Sequence, residues 1–349
     1  MIKELVTELR SAPLRRPWGA DVPYNHVVIC TVTLEDGRVG TGFSWTPQIG
    51  AQAVKALLDN DIREAVLGGP AHPELVWEGL SRHLSEAGRG GLTTVAMAGL
   101  DLALWDLHCG ASSLVDVLGA RRDRVPVYGS GVNLHYSLDE LVAQARRWIA
   151  AGHRAVKIKV GRPDLAEDVE RVAAVREVIG PAVTLMIDAN QRWDLHRARR
   201  AIDALAPYDL HWIEEPLPAD DVAAHVELRR HIDVPVAVGE NVYTVHGFRD
   251  LLTAGACDVV QPNVVRVGGI TPFLRIARLA HAFDVPVHPH LLTELSGQLA
   301  LTLPHPAMVE AVEDATLTGL GLLAEPYPVV IEEAELRSAR ARGLGLTWS

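Results

Sequence analysis

The chain has 349 residues, 48% of them hydrophobic and 22% charged, so it is a globular protein long enough to bury one large core or two unequal ones. A formal net charge of −11 argues against nucleic acid as a partner, because phosphate backbones are bound by clustered lysine and arginine. An anionic substrate would need a local positive site to offset that field.

Three widely separated cysteines, Cys30, Cys109 and Cys257, form no CxxC motif and are odd in number, which fits buried thiols in a reducing cytoplasm rather than a disulfide framework. The N-terminal MIKELVTELR lacks the apolar run of a signal peptide. The most apolar helical stretch, Val95 to Leu107, is too short for a bilayer and contains Asp101 and Asp106. A cytoplasmic location without a membrane role is expected.

In chain order, β-branched runs such as His26 to Leu34, followed by a turn at Asp36-Gly37, predict a small antiparallel meander. Helical spacing then takes over across 51–119, with a helix end at Leu118-Gly119. Residues 1–120 are expected to form an α+β capping unit. From Val125 onward, eight short apolar runs alternate with seven helix-like stretches: VPVYGSGV, AVKIKV, VTLMIDAN, LHWIEEP, VPVAVGE, CDVVQPN, VPVHPH and MVEAVE. This alternation implies a parallel sheet, and eight such units close naturally into a barrel, here assigned to 121–318. An open doubly wound sheet is the alternative. Residues 319–349, ending in RGLGLTWS, are expected to return to the capping unit.

Chemistry in a parallel barrel sits where the strands end, so polar residues closing apolar runs are the candidates. Asp188 ends LMID, Glu214 ends WIE and Glu240 ends VAVGE, at intervals of 214 − 188 = 26 and 240 − 214 = 26. The equal spacing predicts equivalent places on three adjacent strands. Three converging carboxylates repel unless neutralised, and an all-oxygen set suits Mg²⁺ or Mn²⁺. The competing reading is that each acid merely caps a following helix. Lys157 and Lys159 lie at i, i+2 on the preceding strand and so share a face, interleaved with apolar residues of a buried strand. His288 and His290 show the same spacing on a later strand.

With these residues placed, the chain resembles the enolase superfamily, and within it the mandelate racemase subgroup. The similarity rests on KIK (Lys157–Lys159), DAN (Asp188–Asn190), IEEP (Ile213–Pro216), GEN (Gly239–Asn241), QPNVVRVGG (Gln261–Gly269), HPHLLTE (His288–Glu294) and Glu310, with AGLDLALWD and the terminal GLGL. It implies an α+β cap and a modified (β/α)₇β TIM barrel. It also implies Mg²⁺ on Asp188, Glu214 and Glu240, with Asn190 supporting that shell, and Lys159 and His290 on opposite faces of a small-molecule carboxylate substrate. Lys157 would neutralise the substrate carboxylate, and a protonated Glu310 would hydrogen-bond the enolate oxygens. Lys159 would act as base once an adjacent ammonium and a metal lowered its pKa. Specificity would come from the Arg15 to His26 loop and the region from Trp45 to Ile49. A homo-oligomer is implied as well.

One position departs from the pattern. Where the racemase and many acid-sugar dehydratases pair the histidine with an aspartate, this chain has Asn263, with 290 − 263 = 27. Its amide oxygen is expected to accept a ring N–H and orient His290 without stabilising an imidazolium. The expected division of labour is therefore Lys159 as base and His290 as acid for a departing β-hydroxyl, which is dehydration of an acid sugar. The alternatives are a racemase or epimerase of a 2-substituted carboxylate and a non-catalytic metal-binding relative. A dipeptide epimerase or lactonising enzyme is disfavoured, because similarity to those would place a lysine at 263.

Overall fold

The computed structural model describes residues 1–19 and 22–349. Strands β1 (Ile2–Pro13), β2 (Tyr24–Leu34) and β3 (Val39–Thr46) form the expected antiparallel meander, in the order β1-β2-β3. Tyr24 to His26 already belong to β2, so the loop expected to reach His26 is shorter. Its Ala20 and Asp21 lie outside the described residues. Helices α1 (Ala51–Leu57), α2 (Arg63–Val66), α3 (Pro73–His83), α4 (Leu92–Cys109) and α5 (Leu114–Leu118) complete this part of the chain.

α4 is apolar almost all round and correspondingly buried. It lies directly on the backbone of β3: a Cβ at Gly40 or Gly42 would come within 2.3 or 2.4 Å of α4 backbone atoms. Small residues there are the condition for this packing.

The second part alternates strand and helix as read from the sequence: β4 (Val125–Ser130), α6 (Leu138–Ala150), β5 (Ala155–Lys159), α7 (Leu165–Ile179), β6 (Thr184–Asp188), α8 (Leu195–Leu205), β7 (Leu210–Glu214), α9 (Val222–Arg229), β8 (Val236–Val238), α10 (Val245–Ala254), β9 (Val259–Val260) and α11 (Ile270–Ala282). The seventh run shrinks to one parallel bridge between Val260 and Val287. Pro286 and Pro289 flank it and lack the N–H groups a ladder needs. After α12 (Thr293–Ala300), β10 (Val309–Val312) pairs in parallel with β4, which closes the ring and excludes the open sheet. The His288 ring joins the seventh position to the eighth, its Nδ1 accepting from the Met308 N–H at 2.9 Å.

Hairpin β11 (Val329–Glu332) and β12 (Glu335–Ser338) adds antiparallel to the start of β4. Gly343 then bridges to Ser113, the Leu344 N–H donates to Asp106 at 2.9 Å, and Trp348 meets Phe43 edge-on at 5.3 Å.

Inside the ring, Tyr128, Ala155, Met186, Trp212, Ala237 and Val259 form an apolar floor. Side chains on a strand alternate with period two, so residues two further along face the same interior one layer higher. Those positions hold Ser130, Lys157, Asp188, Glu214, Gly239 and Gln261, with Glu310 above Met308. The apolar floor thus dictates where the polar layer stands.

Candidate active site

Each helix that follows one of the three acids has an N-cap of its own. Asp194 accepts from the Arg197 N–H at 2.7 Å, Asp221 from Ala224 at 3.0 Å and Thr244 from Gly247 at 3.0 Å. Asp188, Glu214 and Glu240 are therefore not used as caps, and all three are buried.

Two of them stand in register. Lys159 pairs with Asp188, and Asp188 pairs with Glu214, so one row crosses three strands. The third breaks the expected equivalence, because the partner of Glu214 on β8 is Ala237, three residues before Glu240. Alternation from Ala237 aims position 239 inward, but Gly239 stands there with φ +150°, and a Cβ on it would lie 2.6 Å from the Gln261 nitrogen. The chain leaves the strand at this glycine, and Glu240 enters the site from the turn.

The row runs from a lysine end to a histidine end. At one end the Lys159 ammonium donates to Asp188, whose other oxygen accepts from the Asn190 N–H at 2.8 Å. In the middle Lys157 Nζ lies 2.7 Å from Glu214, 2.8 Å from Glu310 and 3.7 Å from Asp188. At the other end His290 Nε2 lies 2.8 Å from Glu240 and 3.7 Å from Glu310.

Burial opposes every charge here, and the neighbours decide which charges survive. For Lys157, Glu214 and Glu310 outweigh burial and hold the ammonium well above its ordinary value. Burial, with Asp188, Glu310 and Glu240 adding to it against Lys157, pushes Glu214 up. With no cation bound, that shift favours a proton on this carboxylate. For Glu310, Lys157, His290 and Lys159 outweigh burial and pull it down to about 2, a direction that favours the carboxylate where the resemblance implied the protonated acid. Its oxygens are already acceptors, taking the Ser130 hydroxyl at 2.7 Å and the Leu291 N–H at 3.1 Å. For Lys159, burial and Lys157 lower the value, but with no cation on Asp188 that carboxylate outweighs them and raises it.

The amide of Asn263 is reversed from the sequence expectation. Its oxygen accepts the N–H groups of Val265 and Arg266, each at 3.0 Å, which fixes the amide orientation. The amide nitrogen, a donor only, then faces His290 Nδ1 at 3.1 Å. Nδ1 must accept, so the ring carries its proton on Nε2, toward Glu240. A proton on Nδ1 would set two donors against each other.

Several residues here were given no role from sequence. Ser130 holds Glu310, Gln261 donates to Glu214 at 2.8 Å, and Asn133 accepts the Lys159 N–H at 2.9 Å. Asn241 bonds buried Glu215 at 2.8 Å and Glu240 at 3.0 Å, while Arg266 donates to the Glu240 carbonyl at 3.0 Å. Ser130 and Gln261 were findable, since each stands two residues after an inward apolar position. His288, which shares the spacing of His290, instead lies lower, its ring 5.2 Å from that of Trp212, and burial pushes it down to about 4.

Of the capping regions expected to set specificity, Trp18 reaches the site. It lines a cavity of about 450 Å³ together with Lys159 and Asn190, and its ring meets Trp45 edge-on at 6.4 Å.

Asp188, Glu214 and Glu240 fit a hard divalent cation: three buried carboxylates supply oxygen donors, and a cation among them would favour the ionised form of Glu214 that burial and the neighbouring acids oppose. Glu214, Glu240 and His290 also place ligand-capable atoms within 4.8 Å of one another. Asp188 is drawn instead onto Lys159 and Asn190.

A closed parallel barrel with acids and paired lysines on its strand ends, capped by a meander, defines a class of protein. Residues 140–349 match the model described as enolase C-terminal domain-like, and residues 6–119 match the mandelate racemase / muconate lactonizing enzyme N-terminal domain. The chain belongs to this family, the mandelate racemase subgroup of the enolase superfamily. It is 39% identical to a 3,6-anhydro-alpha-L-galactonate cycloisomerase of Streptomyces coelicolor, across 94% of this chain and 92% of that protein. It is 34% identical to the L-talarate/galactarate dehydratase of Salmonella typhimurium, across 93% and 80%. A racemase from Streptomyces coelicolor, solved with bound magnesium, superposes with a TM-score of 0.94 at 34% identity, covering 100% of this chain and 97% of that one.

Proposed function

We propose that this protein is a Mg²⁺-dependent acid-sugar dehydratase, which removes the proton alpha to a carboxylate and expels a β-hydroxyl to give a 2-keto-3-deoxy acid. The observation that carries this reading is the ordered row itself, with Lys159 at one end of the buried carboxylates and a donor-locked His290 at the other. Magnesium-bound and dehydratase relatives support it.

Asp188, Glu214 and Glu240, with Asn190 behind Asp188, would hold Mg²⁺, which when bound would supply positive charge where the second negative charge of the deprotonated carboxylate develops. Lys157, fixed by Glu214 and Glu310, faces the substrate carboxylate as a permanent cation. Lys159 takes the α-proton, and Lys157 beside it opposes its protonation. For the acid step His290 must be an imidazolium: it gives its Nε2 proton to the leaving hydroxyl, water departs and a neutral ring is left. Because the Asn263 amide stands against the Nδ1 proton this requires, the loaded ring is a strong acid. Glu310 acts by placing Lys157 and the Leu291 turn.

Racemase and cycloisomerase relatives keep an isomerase as the second reading. Two-way proton transfer would require His290 to accept a proton with ease, which the Asn263 amide opposes. A relative without catalytic activity is disfavoured by the assembled Lys159, His290 and Lys157. The three cysteines are buried and unpaired, which supports a cytoplasmic setting, and among the described residues no helix is long and apolar enough to cross a membrane. We expect a homo-oligomer, as the family resemblance implies.

The test is a screen of hexonates, pentonates and aldarates with Mg²⁺, read by keto-acid formation and repeated after chelation. Metal-dependent keto acid from at least one of them is expected. Inversion at C2 without keto acid would establish the isomerase instead.

A further inference from the structure

The cavity beside Lys159 is lined by one lysine and two arginines, and their partners differ. The Lys159 ammonium donates to Asp188. Arg162 is fully engaged, donating to Glu167 at 2.8 Å, to the Tyr136 carbonyl at 2.8 Å and to the Leu134 carbonyl at 3.0 Å. Arg192 lines the same cavity, and its guanidinium makes no hydrogen bond or ion pair with the described residues. One positive charge in the cavity is therefore left without a counter-ion.

Arg192 is also held in place. Its stem lies across Gly161, where a Cβ would come 2.8 Å from the arginine Cδ and 3.1 Å from its Cβ. Gly161 has φ +105° and its N–H donates to Asp168 at 2.9 Å, so the missing side chain beneath Arg192 is a fixed feature of the loop after β5. The backbone N–H of Arg192 itself donates to the Ala189 carbonyl at 3.1 Å. Trp18 lines the same cavity.

Lys159 joins this cavity to the buried row, and Arg192 lines it as well, so a substrate with its reacting carbon at Lys159 would extend within reach of Arg192. We infer that the far end is a second carboxylate bound by Arg192, so that the substrate is an aldarate, a sugar diacid, rather than an aldonate ending in a hydroxymethyl group. The inference rests on the acid-sugar reading above and narrows it. An arginine fork matches a carboxylate through two parallel hydrogen bonds, whereas a neutral terminus would leave the guanidinium facing only water. A single unmatched charge also fits a carboxylate better than a phosphate, which carries about −1.5 to −2 at neutral pH. About 450 Å³ is room enough for a six-carbon chain.

The test uses pairs of six-carbon acids identical from C2 to C5, one ending in carboxylate and one in hydroxymethyl, with the wild-type protein, Arg192→Met and Arg192→Lys. The diacid-to-monoacid ratio of kcat/KM should be about 10- to 100-fold for wild type, as expected for a charge-assisted pair, and should fall at least tenfold in Arg192→Met, mostly through KM. Arg192→Lys, which keeps the charge but not the fork, should lie between. A ratio unchanged in Arg192→Met, or a wild-type preference for monoacids, would overturn the inference. If neither acid is turned over and the wider screen of pentonates and other acid sugars is silent too, the dehydratase reading fails. The same ratio is then read from calorimetric Kd values in the presence of Mg²⁺, and the role of Arg192 stands or falls there.

Discussion

The lysine end and the histidine end of the carboxylate row are built by different means. At the lysine end, side chains occupy register positions of continuous parallel strands: Lys159 against Asp188, Asp188 against Glu214. At the histidine end no ladder does this work. β9 has two residues, the seventh strand is a single bridge, and Glu240 comes from a turn at Gly239. The parts there are aligned by side chains instead, with Asn263 bonded to two backbone N–H groups and to the His290 ring. A ladder fixes position but leaves each side chain's charge to its neighbours, whereas the Asn263 amide fixes a proton location as well.

The strongest test of this contrast separates proton removal from proton donation. Lys159→Ala should abolish exchange of the substrate α-proton in deuterated water, with turnover falling by about 10²- to 10⁴-fold or more, the usual contribution of a positioned base. His290→Ala should lose keto-acid formation yet keep measurable exchange, followed by NMR. Exchange surviving in Lys159→Ala and vanishing in His290→Ala would reverse the two roles.

A second contrast concerns the cation. Asp188 and His290 lie at opposite ends of the row, and each is a plausible third donor beside Glu214 and Glu240. Because Mg²⁺ selects oxygen, Asp188→Asn should weaken its binding at least tenfold, measured by calorimetry, while His290→Asn should change it less than threefold. The opposite ranking would move the metal to the histidine end.

The same difference explains what the sequence disclosed. The lysine end was legible because strand periodicity and burial are written locally: KIK and LMID state both the face and the position. The barrel was legible from alternation, since eight strand-and-helix units close naturally into a ring, but the open sheet was excluded only by the pairing of β10 with β4. Equal spacing misled at Glu240, because 26 residues measure chain length and not register, and a glycine's backbone decided where the carboxylate went. Asn263 was noticed as a substitution, but its orientation depends on two N–H groups of the following turn, which no local pattern reveals. Arg192 was overlooked because an exposed arginine is ordinary until the partners of its neighbours have been counted.

The smallest predicted effect lies behind the histidine end, where the turn leaving Asn263 is braced by the cap. Asp101 of α4 accepts the Thr271 N–H at 3.0 Å at the start of α11, and a Cβ on Gly269 would lie 2.2 Å from its carboxylate. Burial pushes this acid up to about 7, although Thr271, Ile270 and Arg275 pull it down. Its folded value therefore lies above the unfolded 3.8, and between roughly pH 4 and 7 the folded protein binds more protons than the unfolded chain. Stability contributed by the protonated form is complete below about pH 4 and is lost as pH rises through 7. Asp101→Asn keeps an oxygen for Thr271 and removes the titration. Its Tm relative to wild type should rise across that window, by the equivalent of about 1–4 kcal/mol, since each pH unit separating the folded and unfolded values is worth roughly 1.4 kcal/mol. Thermal melts at pH 4.5, 6 and 8 decide it, and parallel curves for the two proteins would show that the brace does not titrate.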